Sequence, residues 1–263
     1  MENLKKDAKK FLMQLIETPS FSREEEITAL IIEKYLREKK IPFQRKGNNI
    51  WAKNLYFDEN LPTILLNSHH DTVKPNSAYT LDPFKAIEKD GKIFGLGSND
   101  AGASLVSLWA VFSHFYAQKL KYNLIYAATA EEEISGKNGV TSILEDLGKI
   151  DFAIVGEPTK MNLAIAEKGL VVLNCVAKGT ASHAAHLNDD NSIYKAVRDI
   201  QKIQNLSFDK VSEVLGKVKA TVTIVNAGSQ HNVVPDQGHV TVVARTIQLY
   251  SNSEKIKIIQ KEM

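Results

Sequence analysis

A single cysteine, Cys175, in 263 residues excludes a scaffold held by intrachain disulfides and is compatible with a reducing compartment. Charge of one sign is scarce too. The 33 Lys and Arg stand against 31 Asp and Glu, a formal net charge of +2, and the two signs are mixed rather than blocked. That is too little to draw nucleic acid or an anionic membrane. Long apolar runs are missing: the greasiest stretch, Ala103 to Ala117, is interrupted by Ser107, Ser113 and His114 and falls short of the roughly 20 residues that cross a bilayer. The opening residues, Met1-Glu2-Asn3-Leu4-Lys5-Lys6-Asp7, lack the apolar segment of a secretory signal. Repeats and low-complexity tracts are absent. These absences predict a soluble, cytoplasmic protein with no nucleic-acid or membrane partner.

What is present is an ordinary globular composition, 43% hydrophobic and 24% charged, enough for one large domain or two modest ones. Cys175 lies in the apolar run Leu170 to Val176, which predicts a packed strand thiol rather than a nucleophile.

The hydrophobic period changes along the chain. Leu4, Phe11, Leu12, Leu15 and Ile16 predict a helix over 3–17 that stops before Pro19. Ser22 with Glu25 three residues on predicts a capping box opening a second helix, with Ile27, Leu30, Ile31 and Tyr35 as its apolar stripe. Glu24, Glu25 and Glu26 then favour that helix start electrostatically. Strands are predicted at 49–53, 63–67, 92–94, 123–129 and 151–155, with helices at about 101–117 and 140–147 between them. Alternating strands and helices, some strands apolar on both faces, predict an α/β domain over 1–168: a mostly parallel sheet of zinc-hydrolase type with helices on both faces. Over 169–263 the order is strand (170–177), helix (192–204), two strands (218–226 and 238–246) and helix (252–263), a smaller α+β domain.

The chemistry-bearing residues fall at strand ends. Ser68-His69-His70-Asp71 follows one predicted strand, Glu131-Glu132-Glu133 another and Gly156-Glu157-Pro158 a third, while Asp100 sits in the turn Gly97-Ser98-Asn99-Asp100-Ala101-Gly102. Ligands of open α/β sheets bind outside the carboxyl ends of the strands. One imidazole with several carboxylates suits Zn²⁺ or a similar divalent ion rather than copper or an iron–sulfur cluster. Glu132 and Glu133 supply a pair in which one binds metal and the other acts as general base. Asp71, two residues after His69, is placed to orient that imidazole. Taken alone, Asp100 also fits a helix N-cap.

In order and spacing these motifs resemble the M20 family of metallo-aminoacylases and peptidases, nearest its acetylornithine (succinylornithine) deacetylase branch. The resemblance covers essentially the whole chain. It implies two zinc ions per site, with Co²⁺ as an alternative ion. His69 and Glu157 would hold the first, Asp100 would bridge, Glu133 would hold the second, and Glu132 would be the general base. The smaller domain would be a lid and dimerisation domain, making the protein a homodimer. His183, in Gly179-Thr180-Ala181-Ser182-His183, would stabilise an oxyanion in the partner subunit's site, and Asn232 and Arg245 would bind substrate. The implied reaction is hydrolysis of the amide of a small N-acyl amino acid, with N-acetyl- or N-succinyl-ornithine of arginine biosynthesis as lead substrate. Desuccinylation of succinyl-diaminopimelate or cleavage of small peptides is the alternative, and an inactive metal-binding or oligomerisation remnant is the alternative outside enzymes.

Two departures from the family pattern stand out. Val243 occupies the place of an Asp that usually precedes the lid Arg. The family's catalytic domain also resumes after the lid and supplies a last histidine ligand, whereas His183, His186, His231 and His239 all fall in the lid. The resemblance therefore implies a complete first metal site, able to hold a single ion, and a second site short of a ligand. It also implies an apolar sheet edge left open, and a fragment that is weakly active alone or completed by a second chain.

Overall fold

The computed structural model describes residues 2–262. They form two compact units that part between Asn162 and Leu163, slightly upstream of the expected boundary. In the first unit the elements run α1 (Glu2–Ile16), α2 (Glu26–Glu38), β1 (Gln44–Lys46), β2 (Asn49–Lys53), β3 (Thr63–His69), β4 (Ile87–Lys89) and β5 (Lys92–Phe94). After these come a wide turn at Ser98–Ala103, α3 (Ser104–Phe115), β6 (Asn123–Thr129), a 3₁₀ turn leading into α4 (Leu144–Leu147), and β7 (Phe152–Val155). No helix among the described residues is long and apolar enough to cross a membrane.

The main sheet has the order β1-β2-β6-β3-β7. Strands β6, β3 and β7 are mutually parallel, while β2 and β1 add antiparallel neighbours, so the sheet is parallel where the site lies and mixed at one side. Both faces are covered. Phe11, Ile32, Leu36, Trp109 and Phe112 from α1, α2 and α3 pack with Leu66 and Tyr126 on one face, and Ile143 and Leu147 pack with Leu65 and Ile125 on the other. Trp109 meets Phe11 and Tyr126 edge-on. Buried side chains of this size contribute about 1.5–3 kcal/mol each. Strand β7 ends the sheet, and Phe152, Ile154 and Val155 are exposed along it.

Two sequence expectations for α2 fail in whole or in part. The helix starts at Glu26, its N-cap Glu25 makes no capping bond, and Ser22 donates instead to Asp71 Oδ2 at 2.7 Å. The apolar stripe holds only in part: Tyr35 is buried and Ile31 packs against the core as expected, but Ile27 and Leu30 are exposed, and Thr28, Ala29, Ile32, Glu33 and Leu36 are buried instead. Polar residues can face inward here because they are partnered. Thr28 meets the His70 ring, and Glu33 pairs with Arg45 at 2.9 Å and with Arg37.

The second unit runs β8 (Gly169–Lys178), β9 (Ser182–His183), α5 (Ser192–Asn205), β10 (Val211–Ser212), β11 (Gly216–Lys217), β12 (Lys219–Ala227), β13 (Val233–Val234), β14 (Gln237–Thr246) and α6 (Asn252–Glu262). Its antiparallel sheet, β12-β14-β8, is covered on one face by α5 through Ala196 and Ile203 and by α6 through Ile259. Cys175 packs in that covered face, where burial pushes its thiol pKa up. It is the packed strand thiol expected, and a poor nucleophile.

Candidate metal centre

The parallel strands place the site. His69 ends β3 opposite Thr129 of β6, and Asn67 pairs with Val155 of β7. The residues just past β6 (130–133) and β7 (156–157) therefore emerge at the same sheet edge as His69. Asp100 enters from the wide turn before α3. That turn is closed by Gly102 N–H donating to Gly97 O at 2.9 Å, and Gly97 has φ +72 with Thr72 Cγ2 2.7 Å from where a Cβ would stand, so the position requires glycine. The Asp100–Ala101 peptide bond is cis.

His69 is 1% exposed and its Nε2 looks into carboxylates: Asp100 Oδ1 at 3.1 Å, Glu132 Oε2 at 3.8 Å and Glu157 Oε2 at 3.8 Å. Two groupings bring ligand atoms within 4.8 Å of one another, His69 with Glu132 and Glu157, and His69 with Asp100 and Glu133. All five residues expected to serve metal or base thus converge. His70 does not join them. Successive strand side chains point to opposite faces, and its Nε2 donates to Asn48 O at 2.8 Å while Nδ1 meets Thr28 Oγ1 at 2.9 Å. Burial holds its pKa below the ordinary value, so it is a neutral structural imidazole.

Asp71 meets both the His69 ring and the turn after β6. The ring Nδ1 lies 3.0 Å from the Asp71 backbone carbonyl and 3.4 Å from its Oδ1, so the carbonyl is the nearer partner. The carboxylate accepts the backbone N–H groups of Glu132 at 3.0 Å and Glu133 at 3.2 Å, with Ser22 as a third donor. Burial works against the charged carboxylate, but the His69 ring and these donors outweigh it and hold the Asp71 pKa below the usual range.

The charges at the site are unbalanced. Among the described residues, no Lys or Arg forms an ion pair with Asp100, Glu132, Glu133 or Glu157. Burial, then the neighbouring carboxylates, raise the pKa of Glu132 and Glu133 despite His69. For His69 itself burial disfavours the charged ring, yet Asp71 and Glu157 overcome it and push its pKa up to about 11. A ring that holds a proton so tightly marks a place where the carboxylates demand a cation.

The sequence matches the model of peptidase family M20/M25/M40 over residues 65–261. The chain belongs to that family. Among curated relatives, it is 28% identical over 210 residues to a succinyl-diaminopimelate desuccinylase of Wolbachia pipientis wMel, covering 74% of this chain and 52% of the relative. It is 27% identical over 233 residues to the enzyme of that name from Rickettsia bellii (strain OSU 85-389), covering 82% and 60%. The M20 chain thus spans about half to three fifths of the length of these relatives. The fold is similar to that of an M20 family metallo-carboxypeptidase, Sso-CP2, from Sulfolobus solfataricus (TM-score 0.73, 17% identity, 95% of this chain and 74% of that one). It is also similar to the Bacillus subtilis YXEP protein, a dinuclear metal-binding M20 peptidase (TM-score 0.67, 19% identity, 100% and 69%). The resemblance read from the sequence holds at family level, but these relatives carry the desuccinylase name, not that of the acetylornithine deacetylase branch.

The remaining site candidates lie in the second unit. Strand β9 pairs with β13, setting His183 opposite Val233, and Ala184 N–H donates to Asn232 O at 2.9 Å. His183 Nδ1 accepts the N–H of Ala185 at 3.2 Å, which leaves Nε2 as the protonated donor of the neutral ring. Arg245 is not beside them. His183 and Asn232 lie toward the Gln237 end of β14, where Asp236 O accepts Gly179 N–H. Arg245 pairs with Leu170 and Gln237 with Lys178, a separation of roughly 26 Å at the rise of a strand. Among the described residues Arg245 is exposed and makes no ion pair.

Sequence reasoning passed over Ser22, Glu25, Asn48 and Asn138. Ser22 and Glu25 were read as a helix start, and the two asparagines carry no motif. The available signal was the excess of acids at 24–26, more than one helix terminus needs.

Proposed function

We propose that this M20 chain carries the metal centre of an amidohydrolase that removes the acyl group from an N-acyl amino acid, with N-succinyl-diaminopimelate as lead substrate. The supporting observation is His69 Nε2 facing Asp100, Glu132 and Glu157 within 3.8 Å, with no Lys or Arg ion-paired to these carboxylates among the described residues. The names of the relatives favour the succinyl-diaminopimelate substrate over acylated ornithine, and so an arginine-biosynthetic role is not retained.

His69, Asp100 and Glu157 would hold one divalent ion, zinc by preference for a nitrogen and oxygen donor set, and Asp100 with Glu133 would begin a second site. Such an ion would polarise the amide carbonyl and would lower the pKa of water at the site towards about 7. Glu132, its pKa raised by burial and the surrounding carboxylates, would take the proton from the attacking water and pass it to the leaving amine nitrogen. His183 Nε2–H is a donor of the kind a developing oxyanion needs, and Asn232 would engage a substrate polar group in a homodimer formed through the second unit; Arg245, roughly 26 Å along β14 from them, would reach the same small substrate only from the other subunit.

The test is hydrolysis of N-succinyl-diaminopimelate against N-acetylornithine by the zinc-loaded chain and its Glu132→Gln variant. Turnover of the succinyl substrate, lost in the variant while zinc stays bound, is expected. Turnover that survives the substitution would contradict the assignment.

A further inference from the structure

Glu25 has 0% exposure, although it sits between two other acids in a segment whose charges suggest nothing more than a helix start. Its carboxylate is fully used. Oε1 accepts the backbone N–H of Arg23 at 2.7 Å and of Glu131 at 3.2 Å, and Oε2 accepts Asn48 Nδ2 at 2.9 Å. A buried carboxylate is costly unless its lone pairs are satisfied, and here one of the satisfying donors is the residue immediately before Glu132.

Glu131 is itself unusual. Its φ is +55, a left-handed conformation rarely held by a residue with a side chain and retained only where surrounding bonds impose it. Those bonds come from two sides. Asn138 donates through its backbone N–H to Glu131 Oε2 at 3.3 Å and through Nδ2 to Oε1 at 2.8 Å, while Glu25 takes the Glu131 N–H. Gly136 lies so close that a Cβ there would stand 2.0 Å from Glu131 Oε2. Glu131 N–H and side chain are thus held by Glu25 and Asn138, while Asp71 holds the Glu132 and Glu133 N–H groups.

We propose that Glu25 and Asn138 are positioning residues: they lock Glu131 in its left-handed conformation and thereby set where the Glu132 and Glu133 carboxylates stand relative to His69. The role rests on the metal-centre reading above and extends it to residues that touch neither metal nor substrate. Partners of this kind, one bond behind the ligands, change metal affinity by about 10–100-fold when removed.

The experiment is titration of the metal-free full chain with Zn²⁺, alongside the visible absorption of the Co²⁺ form. Asn138→Ala removes an exposed side chain and leaves the core intact, so it is the variant that must fold; its zinc affinity is expected to fall about tenfold or more with an altered cobalt spectrum. Glu25→Gln sets two amide NH₂ groups against each other at Asn48 and should weaken zinc binding similarly. Combining it with Asn48→Asp restores a donor–acceptor pair, and still offers Arg45 Nη2 the oxygen it now finds on Asn48 at 3.1 Å, so affinity should recover. Wild-type affinity and spectrum in Asn138→Ala and in whichever Glu25 variant folds would overturn the positioning role alone. A wild-type chain that binds no zinc would overturn the metal-centre reading and this role with it.

Discussion

Asp71 Oδ1 accepts the backbone N–H of Glu132 at 3.0 Å, so the residue that follows the metal-facing histidine by two positions also fixes the turn that carries the proposed base. Strand β3 and the turn after β6 are bound into one unit by that carboxylate, with Ser22 closing it from the loop before α2.

Replacing Asp71 with Asn keeps the shape but turns one accepting oxygen into a donor that faces an N–H or the Ser22 hydroxyl. Zinc affinity of Asp71→Asn is expected to drop about 10–100-fold, and Ser22→Ala, which removes one donor of three, should cost less. Calorimetric titration of both variants checks the order; equal losses would argue against it.

The raised pKa of His69 has a consequence for the metal-free chain. The group holds its proton more tightly when folded, up to about 11 against an ordinary 6.5. Its contribution to stability is therefore fully present below pH 6.5 and is lost as pH rises towards 11. Urea melts of the metal-free chain should show falling stability from pH 7 to pH 10. With zinc the trend should reverse, because the metal needs the neutral ring and competes with its proton.

Tyr126 Oη is buried with no hydrogen-bond partner among the described residues, and burial drives its pKa far upward. Removing an unpaired buried hydroxyl spares its desolvation cost, so Tyr126→Phe should stabilise the chain by about 1 kcal/mol. A thermal or denaturant melt that shows loss of stability would mean the hydroxyl is satisfied in solution.

Strand β7 presents Phe152, Ile154 and Val155 on an unpaired sheet edge, the arrangement that templates association between chains. Sedimentation over a range of concentrations should show self-association that Ile154→Lys reduces. No change on substitution would place the contact elsewhere.

Much of this was legible from residues alone where one force dominates. Strand β6 runs over Asn123–Thr129 as read because all its residues are buried, and an unbroken apolar run leaves few other choices. His69, Glu132, Glu133 and Glu157 could be placed because parallel strands present their carboxyl ends together. The inward face of α2 was only partly legible. It depends on Glu33 finding Arg45 and on Thr28 finding His70, partners remote in sequence that make polar residues tolerable inside. Glu25 was hidden for the same reason. An acid before a helix is usually a local electrostatic choice, and only the fold brings Glu131 to it, 106 residues away. The wide separation of Arg245 from His183 likewise follows from strand register, which residue types do not reveal.

The most direct test of the account is the zinc content of the purified chain after exhaustive dialysis, measured beside His69→Ala. Both ligand groupings share His69, and one ring nitrogen faces the carboxylates, so the account predicts one tightly held zinc per chain that the substitution abolishes. A wild-type chain without zinc, or a variant that retains it, would contradict the metal centre.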